Sequence, residues 1–187
     1  MSKLTDVIAF AAKAHEGQIR KLNNQPYIFH PCEVGQIVSS MTDDEDVVCA
    51  AILHDTVEDT RATLGEIEEK FGKRVAYLVA LETEDKRENK DKSKTWRIRK
   101  EESLKELENC GDIDAKKIWL GDKLSNIRSM YRTHLLEGDS MWNHFNNKNP
   151  EDHEWYYESI MKLLKDLSGY SVYREYCAIV EALFGDK

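Results

Sequence analysis

Apolar positions recur at three- and four-residue steps along most of this 187-residue chain, the spacing that lines one face of an α-helix. Residues 4–20 place Leu4, Val7, Ile8, Ala11, Ala14 and Ile19 on such a face and predict a first helix. "NNQPYIFHP" follows as a turn-bearing loop, and Pro31 opens a second helix carrying Val34, Ile37 and Val38. "TDDED" reads as a helix start, with Thr42 or Asp43 as N-cap. Residues 46–58 then predict a helix apolar on most sides, the mark of a domain centre. Further helices are expected from Thr63 to Gly72, over "KRVAYLVALET", over "RIRKEESLKELENCG" and across 114–135. On the last of these Ile118, Leu120, Leu124, Ile127 and Met130 are available to the core. The final third predicts two amphipathic helices, 151–167 and 171–184, split by Ser168 and Gly169. No strand pattern, internal repeat or low-complexity linker interrupts the series. The expected fold is all-α: a single unit over 1–187, with a core at about 4–135 and additional C-terminal helices over about 136–187.

Composition narrows the class. Only three prolines and nine glycines occur, which suits long helices. Hydrophobic residues at 41% and charged residues at 33% are a globular balance. No apolar run approaches the roughly 20 residues that cross a bilayer. "MSKLTDVIAFAAKAHEG" carries His15 and Glu16 where a signal-peptide cleavage site would fall, so it reads as mature chain. The four cysteines are scattered without a CxxC pair, which suits free thiols in a reducing cytoplasm.

A net charge of −8 argues against a nucleic-acid polymer as partner, because phosphate-backbone affinity needs surplus Lys and Arg. Two basic groups run against that balance. One is Arg20 with Lys21; the other is "KRENKDKSKTWRIRK", 86–100, with eight basic and two acidic residues. Both suit a small anionic ligand, and the longer run reads equally as a solvated loop.

The chemistry concentrates in "AAILHDTVEDT", residues 50–60. On a continuous helix His54 would align with Glu58, and Asp55 with Asp59. Unpaired carboxylates at the edge of a core cost several kcal/mol each, of order 3–5, and a divalent cation would offset that. His and Asp are a common ligand pair for such ions. A surface helix end with a cap at Asp59 or Thr60 is the other reading. His30 in "YIFHP", which alone reads as structural, and Asp122 on the 114–135 helix, whose polar stripe alone reads as a solvated face, would together complete two imidazoles and two carboxylates. That set suits Mn²⁺, Fe²⁺ or Zn²⁺ better than Mg²⁺, which prefers oxygen. Asn126 and Ser129 follow Asp122 at four and seven residues as a narrow polar stripe.

"AHEGQIRK…PYIFHP", "AAILHDTVEDT", "FGKRVAYLV" and "GDKLSNIRSM", in this order, resemble the HD-domain hydrolases of the RelA/SpoT type. Within that group the chain is similar to small stand-alone alarmone hydrolases of the MESH type, over about residues 4–132. "GDSMWNHFN" and "EWYY" look like the tail of small bacterial members, and no synthetase domain fits the remaining residues. The resemblance implies an HD-type helical bundle with His30, His54, Asp55 and Asp122 as metal ligands, Mn²⁺ being the usual ion. It implies that Glu58 and Asp59 activate or position the attacking water. It implies that Arg20 and Lys21 contact the nucleotide, with Asn126 and Ser129 lining its ribose and base side, and that His15 backs the site residues or is structural. Lys94, Arg97, Arg99 and Lys100 become candidates for the phosphates, or solvent-facing helix residues. Two departures stand out: "KLNNQPY" lacks a glycine common before "PYI", and segment 82–100 matches the longer enzymes poorly.

The reaction so implied removes pyrophosphate from the 3′ position of guanosine tetra- or pentaphosphate. A related nucleotide phosphohydrolase, such as an NADPH 2′-phosphatase, and a non-catalytic nucleotide-sensing module are the other functions in view. A homo-oligomer is open: Trp155, Tyr156, Tyr157, Tyr173 and Tyr176 could serve a core, an interface or a pocket wall.

Overall fold

Ser2 opens the first helix, its hydroxyl accepting from the Thr5 N–H, and α1 runs Lys3–Ala14. The computed structural model describes residues 2–83 and 92–185, the side chains of 92–94 excepted. The expected helix over 4–20 ends early because Gly17, at φ 79°, turns the chain out of helical conformation. Residues 18–27 instead form a hairpin-like loop, closed by Tyr27 N–H to Gln18 O at 2.9 Å and Arg20 N–H to Gln25 O at 2.8 Å. Asn24 takes the left-handed turn position at φ 54°, a conformation that asparagine tolerates better than most residues.

Helix α2 (Phe29–Ser39) begins two residues before Pro31, whose missing N–H costs nothing in a first turn. Helix α3 (Glu45–Leu53) is capped by Asp44, not by Thr42 or Asp43, through its side chain and the Asp46 N–H at 2.9 Å. The helix expected over 46–58 breaks at His54–Asp55, and α4 (Thr56–Asp59) continues it as one turn. A Thr63–Glu66 capping box starts α5 (Leu64–Phe71), followed by α6 (Lys73–Glu82). Beyond lie α7 (Lys92–Asn109), α8 (Ile113–Glu137), a 3-10 segment Gly138–His144, α9 (Pro150–Leu163) and α10 (Ser171–Phe184). Helix α9 stops short of 167, where a 3-10 turn Lys165–Leu167 takes over. Among the described residues there is no strand beyond a single bridge between Ile19 and Pro26. The protein is all-α.

Helix α3 occupies the centre, against α1, α2, α6 and α8. The buried core is continuous from Val7 to Leu183, so α9 and α10 share it with the preceding helices. Tyr156, Tyr157, Tyr173 and Tyr176 are all buried there. Among the described residues no helix is long and apolar enough to cross a membrane.

Two glycines let α2 approach its neighbours closely. A Cβ on Gly35 would stand 2.4 Å from Ile52 Cγ1 of α3, and one on Gly121 would stand 2.9 Å from Val38 Cγ2. This close approach brings the starts of α2 and α4 and the middle of α8 to one point. Gly35→Ala should therefore destabilise the fold by up to about 2 kcal/mol: overpacking costs about 1–3, and alanine's helix preference returns about 1. Urea unfolding of the variant measures it; a gain in stability would contradict the close packing.

Candidate active site

His30, His54 and Asp122 are each at least 94% buried, and their ligand atoms lie within 4.8 Å of one another. His30 Nε2 is 3.1 Å from Asp122 Oδ1 and 3.4 Å from Asp55 Oδ2. His54 Nε2 is 3.0 Å from Asp55 Oδ2 and 3.6 Å from Asp122 Oδ1. Three of the four expected ligands thus form one group, and the fourth, Asp55, has Oδ2 within 3.4 Å of both imidazoles, although they come from three separate stretches of chain.

Hydrogen bonds on the far side of each ring decide what it presents. His54 Nδ1 is 2.8 Å from Ala51 O, a carbonyl that can only accept, so Nδ1 carries the proton. His30 Nδ1 is 2.8 Å from Ser125 Oγ, whose own hydrogen goes to Glu33 Oε2 at 2.7 Å. Both rings therefore turn a lone pair on Nε2 towards two carboxylate oxygens. Four acceptors facing one another repel unless a cation or a proton lies between them. Among the described residues His54 Nε2 has no hydrogen bond of acceptable angle. This N₂O₂ set fits a divalent cation, and its outer hydrogen bonds are those that orient metal-bound imidazoles.

The same convergence controls protonation when no metal is supplied. Burial opposes a charged His54, but Asp55 and Asp122 outweigh it and hold its pKa well above the ordinary value. Burial likewise opposes the charge on Asp55 and Asp122. His54, with His30, keeps Asp55 far below the usual carboxylate range, and Lys123, with both histidines, does the same for Asp122. The His54 contribution to stability is complete below its unfolded pKa of about 6.5 and is lost as pH rises through the raised folded value. The carboxylate contribution is present above about 4 and is lost as pH falls. The contributions of these three groups accordingly overlap between about 4 and 6.5, and chelator-treated protein should lose stability at higher pH. Metal competes with the proton on His54, so its apparent affinity should rise over the range where the stripped protein weakens. Thermal melts across pH, with chelator and with Mn²⁺, separate the two trends; parallel curves would contradict the assignment.

Tyr27 ties the histidine group to the acidic pair. Its hydroxyl lies 2.6 Å from Asp55 Oδ2 and 3.2 Å from Asp59 Oδ2, donating its one hydrogen towards them. Burial first, then Asp55, raises the phenol's pKa far out of the physiological range, so it stays a donor. Despite the break after Leu53, Asp59 N–H reaches Asp55 O at 2.8 Å, keeping the two carboxylates one turn apart. His15 packs against the Tyr27 ring and bonds Gln18, whose amide donates to Asp59 O at 2.8 Å.

Two adjoining cavities open from this point. A smaller one, about 180 Å³, is lined by the four converging residues with Glu58, Asp59, Glu82, Arg99, Lys100 and Lys123 among others. A larger one, about 720 Å³, includes Arg20, Lys21, Asp59, Lys100, Lys123 and Asn126. Arg20 Nη2 donates to Asn126 Oδ1 at 3.1 Å and to Ser129 Oγ at 3.2 Å, uniting three of the expected substrate contacts. Arg99 and Lys100 both reach the smaller cavity, whereas Arg97 turns away to Glu101, Asp152 and the face of Trp155. The side chain of Lys94, and residues 86–91 of the basic run, lie outside the described residues.

Several residues of these walls escaped the sequence reading. Lys123 sits 2.5 Å from Asp122 Oδ2 and lines both cavities. Its place beside Asp122 in "DKLSN" was a signal that could have been used. Glu82 ends α6 at the smaller cavity, and burial, then Asp122 and Asp55, push its carboxyl well above the usual range. Nothing in its local sequence marks it. Trp96, Phe145, His153, Tyr156 and Tyr157 form an aromatic wall of the larger cavity; the two tyrosines are core and pocket wall at once.

Residues 8–150 match the HD domain family. Over 132 residues the chain is 38% identical to the Danio rerio guanosine-3′,5′-bis(diphosphate) 3′-pyrophosphohydrolase MESH1, covering 69% of each. It is 35% identical over 131 residues to the bifunctional (p)ppGpp synthase/hydrolase SpoT of Escherichia coli K12, covering 70% of this chain but 18% of SpoT. The solved structure of a metazoan SpoT ortholog that hydrolyses ppGpp superposes with a TM-score of 0.76 at 27% identity. That superposition covers 100% of this chain and 98% of the other. The chain belongs to the HD-domain family, among the relatives of the MESH1 and SpoT hydrolases.

Proposed function

We propose that this chain hydrolyses the 3′-pyrophosphate of guanosine tetra- and pentaphosphate, using Mn²⁺ held by His30, His54, Asp55 and Asp122. The observation that carries the reading is the junction of the two cavities. There a His₂Asp₂ group meets the Glu58–Asp59 pair on one side and Arg20, Lys100 and Lys123 on the other. The relatives named for this reaction support it. Mixed nitrogen and oxygen donors favour Mn²⁺ over Mg²⁺. Four unpaired cysteines fit a reducing cytoplasm.

A cation bound there supplies Lewis acidity, acidifying water and polarising a phosphoryl oxygen. Glu58 and Asp59 take or orient the water's proton. Tyr27 and Gln18 hold Asp59 in place for that task. Lys100, Lys123 and Arg99 face the space where the departing pyrophosphate gathers negative charge, and cations there stabilise it. Arg20, braced by Asn126 and Ser129, binds the nucleotide with Lys21 beside it.

Product chromatography of the Mn²⁺-loaded protein with guanosine tetraphosphate, guanosine pentaphosphate, GTP and NADPH tests the proposal. Pyrophosphate is expected from the first two only; phosphate from NADPH alone would overturn it in favour of the 2′-phosphatase. Arg20→Ala should lower kcat/KM by about 10–100-fold, the worth of one or two charged hydrogen bonds, mainly through KM. An unchanged KM would remove Arg20 from the substrate contacts.

A further inference from the structure

Behind His30 runs a chain of polar contacts that the metal site itself does not require. Ser125 lies on α8 one turn after Asp122 and is fully buried. Its hydroxyl donates to Glu33 Oε2 at 2.7 Å, and Arg128 Nη1 donates to Glu33 Oε1 at 2.9 Å. Arg128 is gripped in turn by Glu175, Nε to Oε1 and Nη2 to Oε2, both at 2.7 Å. Glu175 stands on α10, beyond residues 8–150 that match the family. The order of partners leaves little freedom. Arg128 has only donors, so Glu33 must accept from it. Glu33 as a carboxylate has no hydrogen to give, so Ser125 must donate to it. Ser125 has spent its single hydrogen, so its oxygen must accept from His30 Nδ1–H.

We propose that Glu33, Ser125 and Arg128, braced by Glu175, are positioning residues that keep the proton on His30 Nδ1 and its Nε2 lone pair on the metal. The proposal rests on the reading of His30 as a ligand and adds the device that sets its tautomer. Through it the C-terminal helix α10 takes part in the metal site without touching it. Glu33→Gln shows the logic. Arg128 can only be met by the amide oxygen, which turns the amide NH₂ towards Ser125. The Ser125 hydroxyl, now an acceptor from Gln, is free to donate to His30 Nδ1. That moves the ring proton to Nε2, where it blocks the ion.

Two measurements on folded, full-length protein test this, with thermal melts confirming the fold. Long-range ¹H–¹⁵N spectra of metal-free protein in alkaline buffer should show His30 protonated at Nδ1 in the parent and at Nε2 in Glu33→Gln. Calorimetric titration with Mn²⁺ should show affinity lowered by about 10–100-fold, the usual effect of losing an outer partner of a metal-bound histidine. Arg128→Lys, which keeps the charge but loses the fork that grips both glutamates, serves as the second variant with a smaller loss. An Nδ1-protonated His30 and parental Mn²⁺ affinity in Glu33→Gln would overturn the proposal; if that variant does not fold, parental affinity in Arg128→Lys would do so. Loss of affinity in a protein that ignores guanosine polyphosphates would leave the relay standing and remove only the substrate reading.

Discussion

Changing Glu58 to Gln and Asp59 to Asn together should lower kcat by about 10³-fold or more while Mn²⁺ binding stays near the parental level. A positioned acid or base contributes about 10²–10⁴-fold, and the double change removes two of the carboxylates that line the smaller cavity beside the ligand group. The replacements keep size and hydrogen-bonding capacity, so the Tyr27 contact to position 59 survives and the fold should not suffer. Neither residue belongs to the converging His30–His54–Asp122 group, which is why metal affinity is the internal control. A nucleotide-sensing module would have no turnover for the change to remove. Hydrolysis that survives the double substitution would refute the assignment of these carboxylates to the water.

Asp122→Asn should have the second large effect, of a different kind. It removes a ligand, so Mn²⁺ affinity should fall by more than the roughly 10–100-fold typical of outer partners, and turnover should fall with it. It also takes from the ammonium of Lys123, with only 12% of its side chain exposed, the carboxylate 2.5 Å away, one of its several neighbours. Breaking one side of a buried ion pair costs about 3–5 kcal/mol. Both histidines lose a neighbour as well, at 3.1 and 3.6 Å. The variant should therefore melt well below the parent even in chelator, and Mn²⁺ should restore little. Melting and calorimetry read the two losses separately. A variant that binds Mn²⁺ like the parent would remove Asp122 from the site.

The helices were legible wherever a cap or a periodic apolar face stood in the local sequence. Asp112, whose carboxylate accepts from the N–H groups of Asp114 and Ala115, and the Thr63–Glu66 box begin helices close to where the pattern predicts. Two of the errors fell where contacts beyond the local sequence intervened. The loop after Ala14 is set by bonds between residues up to nine apart in sequence, such as Gln18 with Tyr27. The break at His54–Asp55 falls where both side chains turn to His30 and Asp122. Local periodicity carries no information about either.

His30, His54, Asp55 and Asp122 could be picked out from the sequence because together they make one donor set and because they fall in motifs that resemble the HD-domain hydrolases, although His30 and Asp122 alone read as ordinary residues. Arg20, Asn126 and Ser129 were separate marks that the fold joined into one contact. Glu82, Lys123 and the Ser125–Glu33–Arg128–Glu175 chain were hidden, since each is ordinary on its own helix and acquires meaning only from its partner. Sequence alone determined the helical class and the donor types, because apolar spacing and side-chain chemistry are local properties. Tertiary structure decided which lone pairs face the ion and which charges are buried, because both depend on atoms brought together from distant helices packed closely enough to exclude water.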